Sequence, residues 1–260
     1  MAAALLSEVV GYLDDLLRIR EVPDESGAVN GLQVENRGTV GGFIAAVDAS
    51  QATIDGAIAA MTRFQAPPLI LVHHGLFWDG NRPMTDRRYR RIGALLGHDL
   101  PLYSAHVPLD VHPDLGNNAV LARELGLTEL APFDTYKGIA MGVQGLLPQG
   151  ESRDVLMVRI DELLATTGKL IPGGPERVSR VGIITGGAGS RIGSARTAGL
   201  DTFITGEGAH HTYFDAMELG VNAIFAGHYA TEQLGVKALG AHLSSRFGLP
   251  WEFHRHPTGL

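Results

Sequence analysis

Cysteine is absent from this chain. That excludes disulfides, thiolate metal ligands and a thiol nucleophile. It leaves imidazole nitrogen and carboxylate oxygen as the donors for a transition-metal ion. No uninterrupted apolar stretch approaches the roughly 18 residues that suggest a membrane span, so no membrane association is expected. The opening residues, Met1-Ala2-Ala3-Ala4-Leu5-Leu6-Ser7-Glu8, lack a basic leader and soon meet an acid. They read as the first turns of a helix rather than a signal peptide, and the cytoplasm is the expected location. Charge of one sign does not accumulate in long runs. The net charge is −7, and the densest basic patch is Arg87-Arg88-Tyr89-Arg90-Arg91. Such a patch is either the solvated face of a helix or, beside a metal site, a hold for an anionic substrate. An acidic chain argues against nucleic-acid binding, which normally shows a basic stripe. There is no Gly-x-Ser-x-Gly elbow, so no Ser-His-Asp reading is supported.

What is present is ordinary in amount and unusual in placement. Hydrophobic residues make up 45% and charged residues 19% of 260 residues, enough for one large or two small domains with a proper core. Leu5, Leu6, Val9, Val10, Leu13, Leu16 and Leu17 recur at helical spacing. From Phe43 onward strands and helices alternate. Strands are expected at 43–48, at 69–72 running into His73-His74, and at 100–103 before His106. Helices are expected at 50–64, with Ser50 or Asp48 as cap, at 87–98, and at 117–125 ending at Gly126. The order recurs in the second half. Strands are expected at 181–185, 202–205 and 222–225, with helices at 191–198, 211–219 and 230–247. This is read as a duplicated βαβαβ unit, giving an α/β fold of largely parallel sheets covered by helices. The expected division is an N-terminal half 1–126, a connector 127–180 and a C-terminal half 181–260. The connector has β-like runs at Gly142–Leu147 and Asp154–Val158 and a loop at Ile171–Pro175.

In such sheets ligands gather beyond the carboxyl ends of the strands. Two of those ends carry the same unit, a histidine followed four residues later by a carboxylate: His106 with Asp110, and His228 with Glu232. A third carries His73-His74, aligned with Gly206-Glu207 in the other half. If the two halves pack with these ends facing, the ligands meet in a cleft. His73 and His74 either both face one cavity, each serving a different ion, or divide into one buried and one exposed ring. His228 and Glu232 lie one helical turn apart. Glu232 either ligates, with two oxygens that can bridge two ions, or sits in a first helical turn capped by Thr231 or Tyr229. Pro108 makes the Asp110 segment a turn, where Asp110 is a ligand or a cap. His106 either ligates directly or orients Asp110 from behind.

His210-His211 opens a helix near Glu207, where the pair can ligate or face substrate. His112 lies close to Asp110, and His98, His242, His254 and His256 read as surface or core histidines. The Gly-rich segment Thr185–Ser190 is either a tight turn or a phosphate cradle at a helix start. It lacks the P-loop lysine and the full dinucleotide fingerprint.

The segments Val72-His73-His74-Gly75-Leu76-Phe77-Trp78, Ala105–Asp110 followed by Gly116-Asn117-Asn118, Gly206-Glu207, and Gly227–Glu232 resemble the Nif3-like family, whose members are also called GTP cyclohydrolase 1 type 2 homologs. The resemblance spans essentially the whole chain. It implies two interlocked α/β domains, a homohexameric ring and a dinuclear metal centre in the cleft between the domains. It implies His73, His74, Asp110, His228 and Glu232 as ligands of two divalent ions, with Glu232 shared. Zinc, iron and manganese all suit such donors. Long members carry an extra domain between the halves, and this chain resembles the compact form. The function implied is a metal-dependent hydrolase acting on a small molecule, a nucleotide among the candidates, by ring opening or phosphoester cleavage. Glu207, His106 and His210 are candidate proton carriers, and the Gly-rich turn and the arginines near Arg87 are candidate phosphate holders. The contrasting reading is a non-catalytic, ring-shaped metal-binding or regulatory protein.

Overall fold

A computed structural model describes residues 3–260. In chain order the elements are β1 (Ala4–Leu5), α1 (Leu6–Leu16), β2 (Gly31–Val34), β3 (Thr39–Val40), β4 (Phe43–Asp48), α2 (Gln51–Ala60), β5 (Leu69–His74), α3 (Asp86–Gly97), β6 (Leu102–Ser104) and α4 (Val107–Asp110). They continue with α5 (Asn117–Glu124), β7 (Thr128–Tyr136), β8 (Ile139–Ser152), α6 (Arg153–Leu164), β9 (Lys169–Pro172), β10 (Arg177–Ile183) and α7 (Ile192–Thr197). The last are β11 (Thr202–Thr205), α8 (Thr212–Leu219), β12 (Asn222–Phe225), α9 (His228–Phe247) and β13 (Trp251–Phe253). No described helix is long and apolar enough to cross a membrane.

The chain divides into two units, each discontinuous in sequence. The first comprises 1–109 and 235–256, the second 110–234 and 257–260. The first holds a sheet of order β13-β4-β5-β6-β2, the second a sheet of order β7-β8-β10-β11-β12-β9. In each, three consecutive strands joined by helices pair in parallel: β4-β5-β6 and β10-β11-β12. In each, a strand that precedes the trio in sequence pairs antiparallel with its third member: β2 with β6, and β9 with β12. The fold is therefore α/β with a repeated βαβαβ core.

Both faces of each sheet are covered, as parallel strands require. In the first unit Ile44, Ala46, Ile70, Val72 and Leu102 pack with Ile54, Ala57 and Ala60 of α2 and Leu95 of α3. On α1 and α9, Tyr12 meets Phe247 edge to face, and Phe247 reaches Phe43 of β4. In the second unit alternate residues separate two cores. Ile183, Ile204 and Ile224 face Leu121 and Leu125 at α5 and Leu156, Ile160 and Leu164 of α6. Phe203 and Ala223 face Ile192 and Ala195 of α7 and Ala216 of α8.

Several local expectations hold for identifiable reasons. Ser50 caps α2, its Oγ accepting from Thr53 N at 3.1 Å. Helix α8 stops at Gly220, which takes the left-handed conformation (φ +71°). Others differ. Met1 and Ala2 of the expected opening helix lie outside the described residues, and Ala4–Leu5 form a short strand against β3 before α1 begins. Asp154–Val158 is helical, not extended. Ser152 Oγ accepts from Val155 N at 3.2 Å, and Leu156, Ile160 and Leu164 turn inward at helical period, outweighing two exposed valines. Residues 107–110 close one helical turn despite Pro108, which is tolerated near a helix start. The division expected at 126 and 180 does not follow the two units. Residues 127–180 build the same sheet as 181–225, with β8 pairing β10 and β9 pairing β12.

Candidate metal centre

Helical crossovers bring the strand ends of the first unit together, and three imidazoles converge there. Asp48 and His74 are cross-strand partners at the carboxyl ends of β4 and β5, and Val72 pairs with Ser104, two residues before His106. Ring centroids are 4.8 Å apart for His73 and His74, 4.9 Å for His73 and His106, and 5.7 Å for His74 and His106. One ligand-type nitrogen from each lies within 4.8 Å of the others.

Each ring is oriented through its Nδ1. His73, fully buried, places Nδ1 2.9 Å from the Ala105 carbonyl oxygen. His74 places it 2.9 Å from Asp48 Oδ1, and His106 places it 2.8 Å from Asp24 Oδ1. A carbonyl or carboxylate oxygen only accepts, so each Nδ1 carries a proton, and in the neutral ring the lone pair is on Nε2. This is the arrangement by which neighbouring oxygens prepare histidines for a metal ion.

Asp24 is not evident in the sequence. Its carboxylate also accepts from Val107 N at 2.9 Å and Asn30 Nδ2 at 2.8 Å. Burial would push the Asp24 carboxyl up, but the hydrogen bonds from His106, Asn30 and the Glu25 amide hold it below the usual range. Trp78 stands edge-on to His106 at 4.7 Å and to His74 at 5.9 Å.

The second unit gathers the remaining expected residues around the end of β10. Asp110, buried, accepts from Asn117 Nδ2 at 2.8 Å and faces Thr185 Oγ1 at 3.4 Å. A cavity of about 230 Å³ opens beside it, walled by Leu130, Pro132, Met141 and Val143, with His112 and Asn118 as polar members. His228 Nδ1 lies 2.8 Å from Glu207 Oε1, and its Nε2 lies 3.2 Å from Glu232 Oε2. Glu232 is buried, whereas the Glu207 side chain is about half exposed.

Space for the Glu232 carboxylate comes from Gly186. A Cβ at that position would collide with Glu232 Oε1, and its φ of +71° disfavours any other residue. Helix α9 begins at His228, so Glu232 lies beyond its first turn and neither Thr231 nor Tyr229 caps it. Thr231 Oγ1 instead accepts from Gly186 N at 3.1 Å.

The Gly-rich turn and Arg88 are held by internal bonds. In the Gly-rich turn, the amides of Thr185, Gly186, Ala188 and Gly189 donate to Asn118, Thr231, Thr205 and Glu207 respectively. These groups brace the turn rather than line a phosphate cradle. Arg88 is buried against Asp79 and the carbonyls of Arg82 and Gly80, so it anchors a loop and is no part of a solvated face. His210 and His211 are exposed, and His210 meets the Phe214 ring edge-on.

His228 sets a pH dependence. The hydrogen bond to Glu232 and, secondarily, Glu207 raise it from an ordinary 6.5 to about 9, against the opposing effect of burial. A group raised on folding stabilises fully below its unfolded value and loses that contribution as pH rises through its folded one. Chelator-treated protein is therefore expected to melt at lower temperature as pH is raised from 6.5 to 9, and His228→Gln should flatten that slope. Equal slopes in both proteins would show that the imidazolium contributes nothing. An ion at Nε2 must displace the same proton, so metal binding should tighten over this range.

The sequence profile of the family described as Duf34/NIF3 (NGG1p interacting factor 3) matches residues 4–257. A Deinococcus radiodurans protein named GTP cyclohydrolase 1 type 2 homolog is 42% identical over 253 residues, covering 97% of this chain and 94% of its own. A Pyrococcus abyssi protein of the same name is 40% identical, covering 97% and 98%. Among solved structures, protein ybgI superposes with a TM-score of 0.90 at 35% identity, over 99% of this chain and 100% of its own. Protein TTHA1606 from Thermus thermophilus does so at 0.88 and 41% identity, with the same coverage. This chain belongs to the Duf34/NIF3 family.

Proposed function

We propose that this protein binds two divalent metal ions and is a metal-dependent hydrolase of small molecules, with nucleotides and phosphoesters as the classes to test. The observation that carries the metal reading is the common orientation of His73, His74 and His106. Three Nδ1 groups are each tied to an oxygen, which in the neutral rings makes Nε2 the ligating nitrogen, and the three residues bring ligand-type nitrogens within 4.8 Å of one another. All donors are nitrogen or oxygen, which suits zinc, iron or manganese. His73, His74, Asp110, His228 and Glu232 are the proposed ligands, with Glu232 shared and His106 as a further donor. Held together, such ions supply Lewis acidity and a hydroxide nucleophile at neutral pH.

The chain's own residues do the rest. Glu207 is placed to take or return a proton, because its half-exposed carboxylate already accepts from His228. His210 is proposed only to meet substrate from the surface. The cavity beside Asp110 offers apolar walls to an uncharged part of the substrate. A homohexameric assembly and a cytoplasmic setting are part of the same proposal.

The test is metal analysis of the purified protein together with a nucleotide and phosphoester panel, run on wild type and Glu232→Gln. Expected is about two ions per chain in wild type, fewer in the variant, and turnover that falls with the metal. A wild type that holds no metal after reconstitution overturns the reading. A fully loaded protein inert across the panel favours a metal-binding or regulatory role instead.

A further inference from the structure

The carboxyl-terminal strand carries a second set of ligand-type side chains that the centre above does not use. Glu252, His254 and His256 alternate along it. Strand β13 is an edge strand of the first unit's sheet and pairs in parallel with β4. His254 N donates to Ala45 O at 2.9 Å, which carries this pairing past Phe253. Residues two apart on extended backbone face the same side, and the contacts agree. His254 Nε2 lies 3.4 Å from Glu252 Oε2, and the His254 and His256 rings meet edge to face with centroids 6.4 Å apart. The intervening residues turn the other way: Lys237 Nζ sits 4.5 Å over the Phe253 ring, and Arg255 is exposed.

Helix α2 makes room for the two imidazoles. Gly56 lies in its interior, where glycine costs about 1 kcal/mol relative to alanine. A Cβ there would stand 2.9 Å from His254 Nδ1 and 3.9 Å from His256 Nε2. The helix thus gives up propensity at the position facing both rings. The ordinary role for Glu252 is its ion pair with Arg63 at 2.6 Å, on a side chain that is 58% exposed. Pairs of that kind contribute about 0–1 kcal/mol, and this one does not account for two imidazoles gathered at a helix glycine.

We propose that Glu252, His254 and His256 form an additional binding site for a divalent cation of the zinc type, built from side chains other than those of the dinuclear centre. Two imidazoles and a carboxylate make a three-residue site that leaves a coordination position for water. Binding draws the rings together by side-chain rotation and releases Glu252 from Arg63. The site goes beyond the hydrolase reading and does not depend on it.

The full-length protein, stripped with chelator and dialysed against a buffered zinc solution, is analysed for zinc per chain. Wild type is expected to hold one more zinc than His254→Gln or His256→Gln. The same difference should persist when His228→Ala and Glu232→Gln remove donors of the other centre, so that failure of that centre does not disguise failure of this site. Zinc content that is equal with and without His254 overturns the proposal. Arg63→Gln alters only an exposed side chain and keeps all three ligands. It should lower the zinc dissociation constant of this site several-fold, and an unchanged constant overturns the proposal as well.

Discussion

Gly186→Ala is expected to destabilise the protein by about 2 to 5 kcal/mol and to strip it of most of its bound metal. Two costs combine. A left-handed backbone at a residue with a Cβ costs roughly 1–2 kcal/mol, and φ at Gly186 is +71°. The new methyl also has no room. It overlaps the buried Glu232 carboxylate, and overpacking of this kind costs about 1–3 kcal/mol. Relief requires Glu232 to swing away from His228, or the turn to shift and break the bonds of Gly186 to Thr231 and Gly206. Either movement displaces a proposed bridging ligand. Thermal melts of chelator-treated and reconstituted protein, with metal analysis, read both effects. The neighbouring Gly187→Ala is the internal control, because its Cβ would meet Glu207 and His228 only at ordinary contact distances of 3.5 Å or more. It should fold, melt and load like wild type. If the two variants behave alike, Gly186 is not reserving space for the carboxylate.

That contrast shows what kind of information one chain carries openly. The six parallel strands are legible because each is an apolar run followed by small or polar residues, and the intervening helices announce themselves by period and cap. The antiparallel flanks β2 and β9 are not, because four-residue strands beside Gly and Pro have no distinctive pattern. Trp251–Phe253 escapes notice as a strand for the same reason, since three residues contain too little periodicity. Asp154–Val158 misleads because β-branched residues in a short window imitate a strand. Their exposure, which sequence does not display, shows that they lie on the outer face of a helix.

At the site, the histidines and Glu232 are visible because few residue types ligate metals, and the histidines stand at or just beyond strand ends with Glu232 one helical turn after His228. Their supports are not. Asp24 is 82 positions from His106, and Asn118 is 67 from the Thr185 amide it accepts. Nothing local marks an aspartate before a loop as the acceptor that decides which nitrogen of a distant imidazole carries its proton. Asp48 comes closest. A carboxylate at the carboxyl end of a parallel strand, one strand away from His74, is a cue that strand alignment alone can raise, although locally it reads as a helix cap.

Asp24→Asn should weaken metal binding by about 10- to 100-fold, the usual cost of losing an oxygen that orients a ligating histidine, while changing the shape of the side chain hardly at all. The reason is a count of donors. Oδ1 of Asp24 accepts from His106 Nδ1 at 2.8 Å and Glu25 N at 2.7 Å. Oδ2 accepts from Val107 N at 2.9 Å and Asn30 Nδ2 at 2.8 Å. Asparagine has one accepting oxygen and one NH2. Whichever way it turns, the NH2 faces donors at a side chain only 6% exposed. If it faces Val107 and Asn30, a buried backbone amide loses its acceptor, at a cost of about 1–3 kcal/mol. If it faces His106, the ring escapes by moving its proton to Nε2, so that Nδ1 can accept, and the lone pair needed for an ion disappears from the side shared with His73 and His74. The second arrangement keeps the Val107 amide bonded and leaves only the solvent-exposed Glu25 amide to find water, so it is the expected one. Nitrogen NMR of labelled histidine distinguishes the two tautomers directly in metal-free protein, and metal titration gives the affinity. A variant that keeps the wild-type tautomer and affinity would show that Asp24 only fastens the loop at residues 24–30. A switched tautomer with undiminished affinity would remove His106 from the set of donors while leaving His73 and His74 in it. The expected pairing of a tautomer switch with lost affinity therefore tests the orientation argument on which the metal reading rests.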